Sequence, residues 1–185
     1  RNYKFENFIP SINLLNSNNY LVIRMGRLNE KEIILNNNLF IDYSFCDWKS
    51  DFMDNFLGYA CSFCITTGTG LDTFAKLNRK RIGSIINPLD KIYDRKNWTY
   101  IFGYLKNKIT NKYLTIDEII KNELFSSFKF NNLEEKYIFE KNNSEDITQL
   151  VLETMQKYEK KFDTNKVDYK LQENLWNKFS KLPSS

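Results

Sequence analysis

The chain contains no histidine. Ser-His-Asp and Cys-His catalysis are therefore excluded within it, and so are histidine-rich zinc sites. A general base supplied by this chain has to be a carboxylate. Cysteine is scarce, with Cys46, Cys61 and Cys64 making up all three. An odd count without a framework of spacings points to a reducing compartment rather than to disulfides. Cys61-Ser62-Phe63-Cys64 has the letters of a C-x-x-C motif. It lies, however, in an apolar run of strand character, where positions three apart face opposite ways. A redox motif would instead open a helix, so these thiols read as buried and structural.

Long apolar runs are also missing. None approaches the roughly 20 residues that span a bilayer, and no signal-peptide pattern opens the chain. The first residues, Arg1-Asn2-Tyr3, lack an initiator Met, and we read the chain as a piece of a longer protein. Charge of one sign is not in surplus. The 27 basic residues exceed the 23 acidic ones by only +4 and form no block. That is too little to argue for nucleic acid, and it fits a solvated surface. The abundance of Asn, Lys and Ile reads as base-composition bias in the gene.

What is present suffices for a core. In 185 residues, 42% are hydrophobic and 16% aromatic, enough for one ordinary domain plus appendages. Phe5, Phe8, Ile9, Ile12 and Leu15 follow helical spacing. Pro10 fits the first turn, where a missing N–H costs nothing, if the helix starts at Asn7 or Phe8. Asn16 to Asn19 break it. Tyr20 to Ile23 read as a buried strand ending at Arg24-Met25-Gly26, and Leu39 to Asp42 as a second. Ser50 is a suitable N-cap for a helix over about 51–60 that would bury Phe52, Met53, Phe56 and Leu57. Ser62 to Ile65 form the next strand. Leu71, Phe74, Ala75 and Leu77 mark a helix, and Arg81 to Ile86 a strand closed by Asn87-Pro88.

Such alternation predicts an α/β fold, Rossmann-like, with a mostly parallel sheet and helices on both faces. Residues 89–113 read as an irregular aromatic stretch containing Tyr93, Trp98, Tyr100, Phe102 and Tyr104. Thr115 and Glu118 form a capping box, with Leu114 and Ile119 as a hydrophobic staple. A helix from about Ser144 presents Ile147, Leu150, Val151, Thr154, Met155, Tyr158 and Phe162 on one face. A last helix, near Tyr169 to Leu182, carries Leu171, Leu175, Trp176 and Phe179. We expect a Rossmann-like domain over 1–143, with helices of 144–185 packing on it.

The segment with most chemical content is Thr66-Thr67-Gly68-Thr69-Gly70. It joins a predicted strand to a predicted helix. Its glycines permit a sharp turn and close backbone approach. The helix start offers N–H groups and the positive dipole end to an anion, and the threonine hydroxyls can donate to phosphate oxygens. Its place beyond a strand's carboxyl end suits ligand binding in α/β sheets. It is neither a Walker A nor a full G-x-G-x-x-G motif. The competing reading makes Thr69 the helix cap, with Asp72 completing a capping box. Arg24 could pair with a diphosphate and Gly26 could turn the chain close to a ligand, or they are a surface arginine beside a turn glycine. Asp51 and Asp54 suit the first turn of a helix, although Asp51 could bind a sugar hydroxyl if it faces a cleft. Asp90 and Asp94 sit beyond a strand end without a distinguishing pattern. The aromatic stretch could stack on a base or sugar, or pack in a core.

Taken together, four segments resemble a family of bacterial glycosyltransferases associated with surface-polysaccharide gene clusters. They are Glu6-Asn7-Phe8-Ile9-Pro10-Ser11-Ile12, Tyr20-Leu21-Val22-Ile23-Arg24-Met25-Gly26, Ser50-Asp51-Phe52-Met53-Asp54 and Cys64-Ile65-Thr66-Thr67-Gly68-Thr69-Gly70-Leu71. Ser144-Glu145-Asp146-Ile147 and Gln172-Glu173-Asn174-Leu175-Trp176 fit its C-terminal helices. The resemblance implies a GT-B-like architecture of two Rossmann-like halves. This chain would be the C-terminal half, which holds the nucleotide-sugar donor, starting just after that half's first strand and loop. The missing N-terminal half would bind the glycan or lipid-linked acceptor. Arg24, Gly26, Thr66, Thr67, Gly68, Thr69 and Gly70 carry over as donor-site residues, and Asp51 as a weaker candidate. No cofactor, metal or nucleic acid is expected, and no transmembrane segment. The expected location is the cytoplasm or the inner face of the membrane. Two other classes compete: a GT-B-like sugar-nucleotide epimerase, and a non-catalytic Rossmann-like binding module.

Overall fold

The computed structural model describes residues 3–26, 31–86, 98–122, 124, 135–163 and 166–179. Asn87-Pro88, Asp90, Tyr93, Asp94 and the stretch 180–182 of the expected last helix lie outside the described residues.

A 3-10 turn, Phe5–Phe8, leads into helix α1, Ile9–Ser17, with Pro10 in its first turn. Strands β1, Val22–Arg24, and β2, Phe40–Asp42, pair in parallel, with Val22 opposite Phe40 and Arg24 opposite Asp42. Helix α2 spans Asp51–Ala60, and the Ser50 side chain accepts from the Met53 N–H as the cap expects. Strand β3, Phe63–Thr66, helix α3, Asp72–Leu77, and strand β4, Arg81–Ile86, form a strand–helix–strand unit. Strand β5, Trp98–Phe102, adds beside β4, so three parallel strands run in the order β3-β4-β5. The β1-β2 pair forms a sheet separate from β3-β4-β5, and the Tyr20 and Phe63 rings meet between them at 5.4 Å.

Helix α5, Ser144–Tyr158, covers one face of this sheet. Asn143 caps it, and Asn143 with Asp146 completes a capping box. Its buried positions Ile147, Leu150, Val151, Thr154 and Met155 fall on one stripe, the spacing of a core-facing helix. Leu150 and Ile147 pack on Ile85 of β4, while Val151 and Met155 pack with Leu15 of α1 and with Phe63 and Ile65 of β3. Each fully buried aliphatic side chain contributes roughly 2 kcal/mol. Gly83 is required here, because a Cβ would stand 2.6 Å from Ile65 Cδ1 and from Thr154 Oγ1. Strand alternation sends Thr66 and Ser84 to the opposite face, where Thr66 meets Asp72 of α3. The fold is thus mixed α/β, Rossmann-like in character, with parallel strand pairs and helices on both faces of the sheet.

A second, smaller core lies beyond it. Strand β6, Tyr104–Asn107, pairs antiparallel with β7, Tyr137–Glu140. Leu105 packs there with Ile119 of helix α4, Ile116–Lys121, and with Leu124. Helix α6, Lys166–Phe179, adds Leu175 and Trp176 to this cluster. The two C-terminal helices therefore serve different cores, α5 the parallel sheet and α6 the antiparallel pair.

Three expectations need correction. Trp98–Phe102 and Tyr104–Asn107, read as irregular, are strands β5 and β6, because β5 pairs with β4 and β6 with a later strand, Tyr137–Glu140. The expected stripe of α2 is largely outward, with Phe52 73% and Phe56 45% exposed, while Asp54 and Gly58 are buried. A glycine at the contact lets α2 approach α3 so closely that a Gly58 Cβ would overlap Phe74 Cβ. Leu171 and Leu77, assigned to apolar faces, are 62% and 74% exposed. The capping box at Thr115 and Glu118 is present.

Candidate functional site

The Gly-rich segment stands at the carboxyl end of β3, as expected, but its local chemistry differs from a capped helix. Thr66 is the last residue of the strand and is buried. Its hydroxyl donates to Asp72 Oδ2 at 3.1 Å and accepts from the Gly68 N–H at 3.0 Å. The Thr66 proton is therefore committed inside the protein, and this residue shapes the turn rather than facing a ligand. Gly68 has φ 77°, a left-handed conformation that glycine adopts without steric cost.

Neither Thr69 nor Asp72 caps α3. The N-cap position is Leu71, which makes no side-chain capping bond. Asp72 instead turns inward and is 3% exposed. Besides accepting from Thr66, it pairs with Lys76 Nζ at 2.7 Å, and Lys76 lies 5.0 Å from the Trp98 ring centroid. The carboxylate that would repel a phosphate is thus buried and compensated by a cation. Ser84, in register with Thr66, carries a buried hydroxyl without a hydrogen-bond partner among the described residues. It belongs to the same polar layer beneath the turn. Sequence reading missed it, because Arg81 to Ile86 reads simply as an apolar strand.

Among the described residues the turn has room on its outer side at its two glycines. A Cβ added at Gly68 or at Gly70 would meet nothing within 4 Å. The carbonyls of Thr69 and Gly70 accept from the Asp72 and Thr73 N–H groups at 3.3 and 3.1 Å. The N–H groups of Thr69 and Gly70 have no partner among the described residues. Helix α3 has only six residues, so the helix dipole behind the turn is short. Any anion would be held mainly by backbone N–H and hydroxyl groups.

Arg24 and Gly26 belong to a separate cluster at the ends of β1 and β2. The Arg24 guanidinium donates to Asp42 Oδ2 at 2.5 Å and to the Lys31 carbonyl at 3.3 Å, and it lies 5.2 Å from the Phe5 ring centroid. Asp42 Oδ2 also accepts from the Ile33 N–H at 2.8 Å, and its buried Oδ1 has no hydrogen-bond partner among the described residues. The arginine read as a diphosphate ligand is therefore held within the fold. The Gly26 carbonyl accepts from Lys49 Nζ at 2.9 Å. Asp42 and Lys49 went unnoticed in the sequence, since a lone acid ending a strand and a lone lysine before a helix carry no pattern.

Helix α2 starts beside this cluster. Tyr43 is fully buried, donates to the Ser50 carbonyl and accepts from the Ser50 N–H, both at 3.1 Å. Burial, first of all, pushes its phenol above the ordinary range, and the Asp54 carboxylate beside it adds to the shift. Asp54 is thus structural, whereas Asp51 is exposed in the first turn of α2. The thiols of Cys46, Cys61 and Cys64 are free. Burial pushes Cys64 up to about 12, the behaviour of an inert structural thiol. Among the described residues no group of His, Cys, Asp and Glu could hold a metal ion. No helix there is long and apolar enough to cross a membrane.

Compared with protein-family models, curated proteins and solved structures, the chain matches none. Fold and site therefore define a class only: a mixed α/β chain with a Gly-rich turn open at the carboxyl end of a parallel strand.

Proposed function

We propose that the chain is the donor-binding half of a GT-B-like glycosyltransferase, which moves a sugar from a nucleotide-sugar donor to an acceptor hydroxyl of a surface polysaccharide or glycan. The observation that carries this reading is the room outside Gly68 and Gly70, where a Cβ would meet nothing within 4 Å among the described residues. In this reading the backbone N–H groups of Thr69 and Gly70 and the hydroxyls of Thr67 and Thr69 supply the donors to a phosphate. The ordered resemblance of the segments quoted above supports it, as does the parallel β3-α3-β4 unit beneath the turn. In such a step the acceptor oxygen attacks the anomeric carbon and the nucleoside diphosphate leaves. The contribution of this chain is to stabilise charge growing on the diphosphate. The base that activates the acceptor belongs to the other half, and the reaction needs no metal from this one.

A non-catalytic Rossmann-like binding module is the second reading. It is favoured by the ion pair of Arg24 with Asp42, which occupies the cation nearest in kind to a diphosphate ligand.

Titration with UDP, GDP and CMP, read as the melting temperature, tests the proposal. Gly70→Ala is the informative variant, because its Cβ meets nothing within 4 Å among the described residues. Its stability should stay within about 0.5 kcal/mol of the parent, while the nucleotide-dependent rise in melting temperature disappears. Absence of a rise with all three nucleotides in the parent chain would remove the donor-site reading. With the intact protein, acceptor-dependent release of nucleoside diphosphate marks transfer, and isomerisation of the donor without acceptor marks an epimerase.

A further inference from the structure

Strand alternation gives the antiparallel sheet an inner and an outer face. On the inner face Tyr137 and Phe139 pack against the cluster of Leu105, Ile119 and Leu124. The outer face is set by the register. Tyr104 stands opposite Glu140, and Lys106 opposite Ile138. Tyr113 joins on the other side of β6 through a bridge to Lys106. Two rows result, Tyr113, Lys106 and Ile138 in one, and Tyr104 and Glu140 in the other. Tyr113 is 54% exposed, and Tyr104 and Ile138 are each 44% exposed, so both rings meet water rather than a core.

The two tyrosines are nevertheless fixed. The Tyr113 hydroxyl donates to Glu140 Oε2 at 2.6 Å. The Tyr104 hydroxyl stands 3.4 Å from each oxygen of Asp146, at the start of α5. The two ring centroids are 5.7 Å apart. Water would serve an exposed hydroxyl nearly as well, so the main effect of these bonds is to hold each ring in one orientation. Cross-strand pairing that steadies the sheet is the simpler role for such residues. It leaves unexplained why both rings are tethered at their hydroxyls while about half of each stays in water. Rigid aromatic surface offers contact at low cost in conformational entropy, which is what a binding face uses.

The charges on the face select the class of ligand. Lys106 is one cation beside two carboxylates, Glu140 and Asp146, and its Nζ lies 3.7 Å from Glu140 Oε1. An anionic strand therefore gains little here. Lys106 Nζ also lies 5.4 Å from the Tyr113 centroid, so the place of a cation at that ring is already taken. What remains is aromatic surface beside an ammonium donor and a carboxylate acceptor. An uncharged, polyhydroxylated ligand matches that set, with its C–H faces on the rings and its hydroxyls bonded to Lys106 and Glu140.

We propose that the outer face formed by β6, β7 and Tyr113 binds an uncharged saccharide chain, with Tyr104 and Tyr113 as the stacking surface. The proposal does not rest on the donor-site reading, since none of these residues belongs to the Gly-rich turn.

The test titrates the full, isotopically labelled chain with maltohexaose, cellohexaose and N-acetylated chitohexaose, followed by backbone amide NMR. At least one should shift the amides of Tyr104 to Asn107, Tyr113 and Tyr137 to Glu140 saturably, with a Kd of about 1 mM or tighter. Tyr113→Ala removes a ring and should weaken binding at least roughly tenfold. Tyr113→Phe keeps the ring, leaves the sheet in place and loses only the tether, so its affinity should fall between the parent and the alanine variant. Tyr59→Ala removes a tyrosine of α2 that is 63% exposed and should leave affinity within about twofold. No saturable shift on this face with any of the three saccharides would overturn the proposal. Equal loss in Tyr59→Ala and Tyr113→Ala would overturn it too, as would saccharide shifts confined to the Gly-rich turn. Shifts of these same amides by oligouridylate, with none from the saccharides, would replace the saccharide surface with a nucleic-acid surface.

Discussion

Individual side chains in this protein mostly serve the fold before they serve a ligand. Thr66 spends its proton on Asp72, and Arg24 spends its charge on Asp42. The Asp42 side chain is 3% exposed, so breaking the pair leaves Arg24 without its anion and the Ile33 N–H without its acceptor. Asp42→Ala should cost roughly 3 kcal/mol, the lower end for a buried pair, because Arg24 retains some contact with water. Chemical denaturation reads this directly, and a loss below about 1 kcal/mol would show the pair to be incidental. Tyr20 offers a pH test. Burial, followed by its hydrogen bond to Glu159 at 2.9 Å, pushes its phenol up to about 12. The unfolded chain releases that proton near 10. The contribution of Tyr20 is therefore complete below pH about 10 and is lost as pH climbs toward about 12. Tyr20→Phe should flatten the fall in stability across that window, and an unchanged slope would contradict the assignment.

At the scale of elements, local signals and packing had unequal power. The capping box at Thr115, the Ser50 cap and the stripe from Ile147 to Met155 were legible, because each is a short-range pattern with one physical solution. Strand β5 was not, because an aromatic run reads equally as a core strand or as a binding loop until a neighbouring strand pairs with it. The inner face of α2 was misread for a related reason. Large side chains were assigned to the interior, but a helix pair in close contact buries the residue that has none. Gly58 sets that distance, and Gly58→Ala tests it. Alanine gains about 1 kcal/mol of helix propensity over glycine. Its Cβ must nevertheless displace Phe74, and overpacking of this kind costs typically 1–3 kcal/mol. A net fall in melting temperature is expected, and a rise would mean that α2 and α3 separate at no cost. The site was legible to a similar degree. Glycines marked the turn correctly, while the roles of Thr66, Asp72 and Ser84 depend on which way each side chain points from its strand or helix.

The whole molecule combines a parallel sheet covered by α1 and α5 with a smaller antiparallel core that recruits α6. Two features stand at opposite ends of the parallel strands. Beyond the carboxyl end of β3 stands the Gly-rich turn, where among the described residues a Cβ on Gly68 or Gly70 would meet nothing within 4 Å. At the amino edge stand five cations around a cavity. The most direct measurement is backbone amide NMR of the chain during titration with UDP, GDP and CMP. The account predicts that at least one nucleotide shifts the amides of Thr67, Thr69, Gly70 and Leu71 saturably, and that Gly70→Ala abolishes those shifts while leaving the remaining spectrum in place. Saturable shifts confined to Arg79, Lys80 and Arg81, or none with any of the three nucleotides, would contradict it.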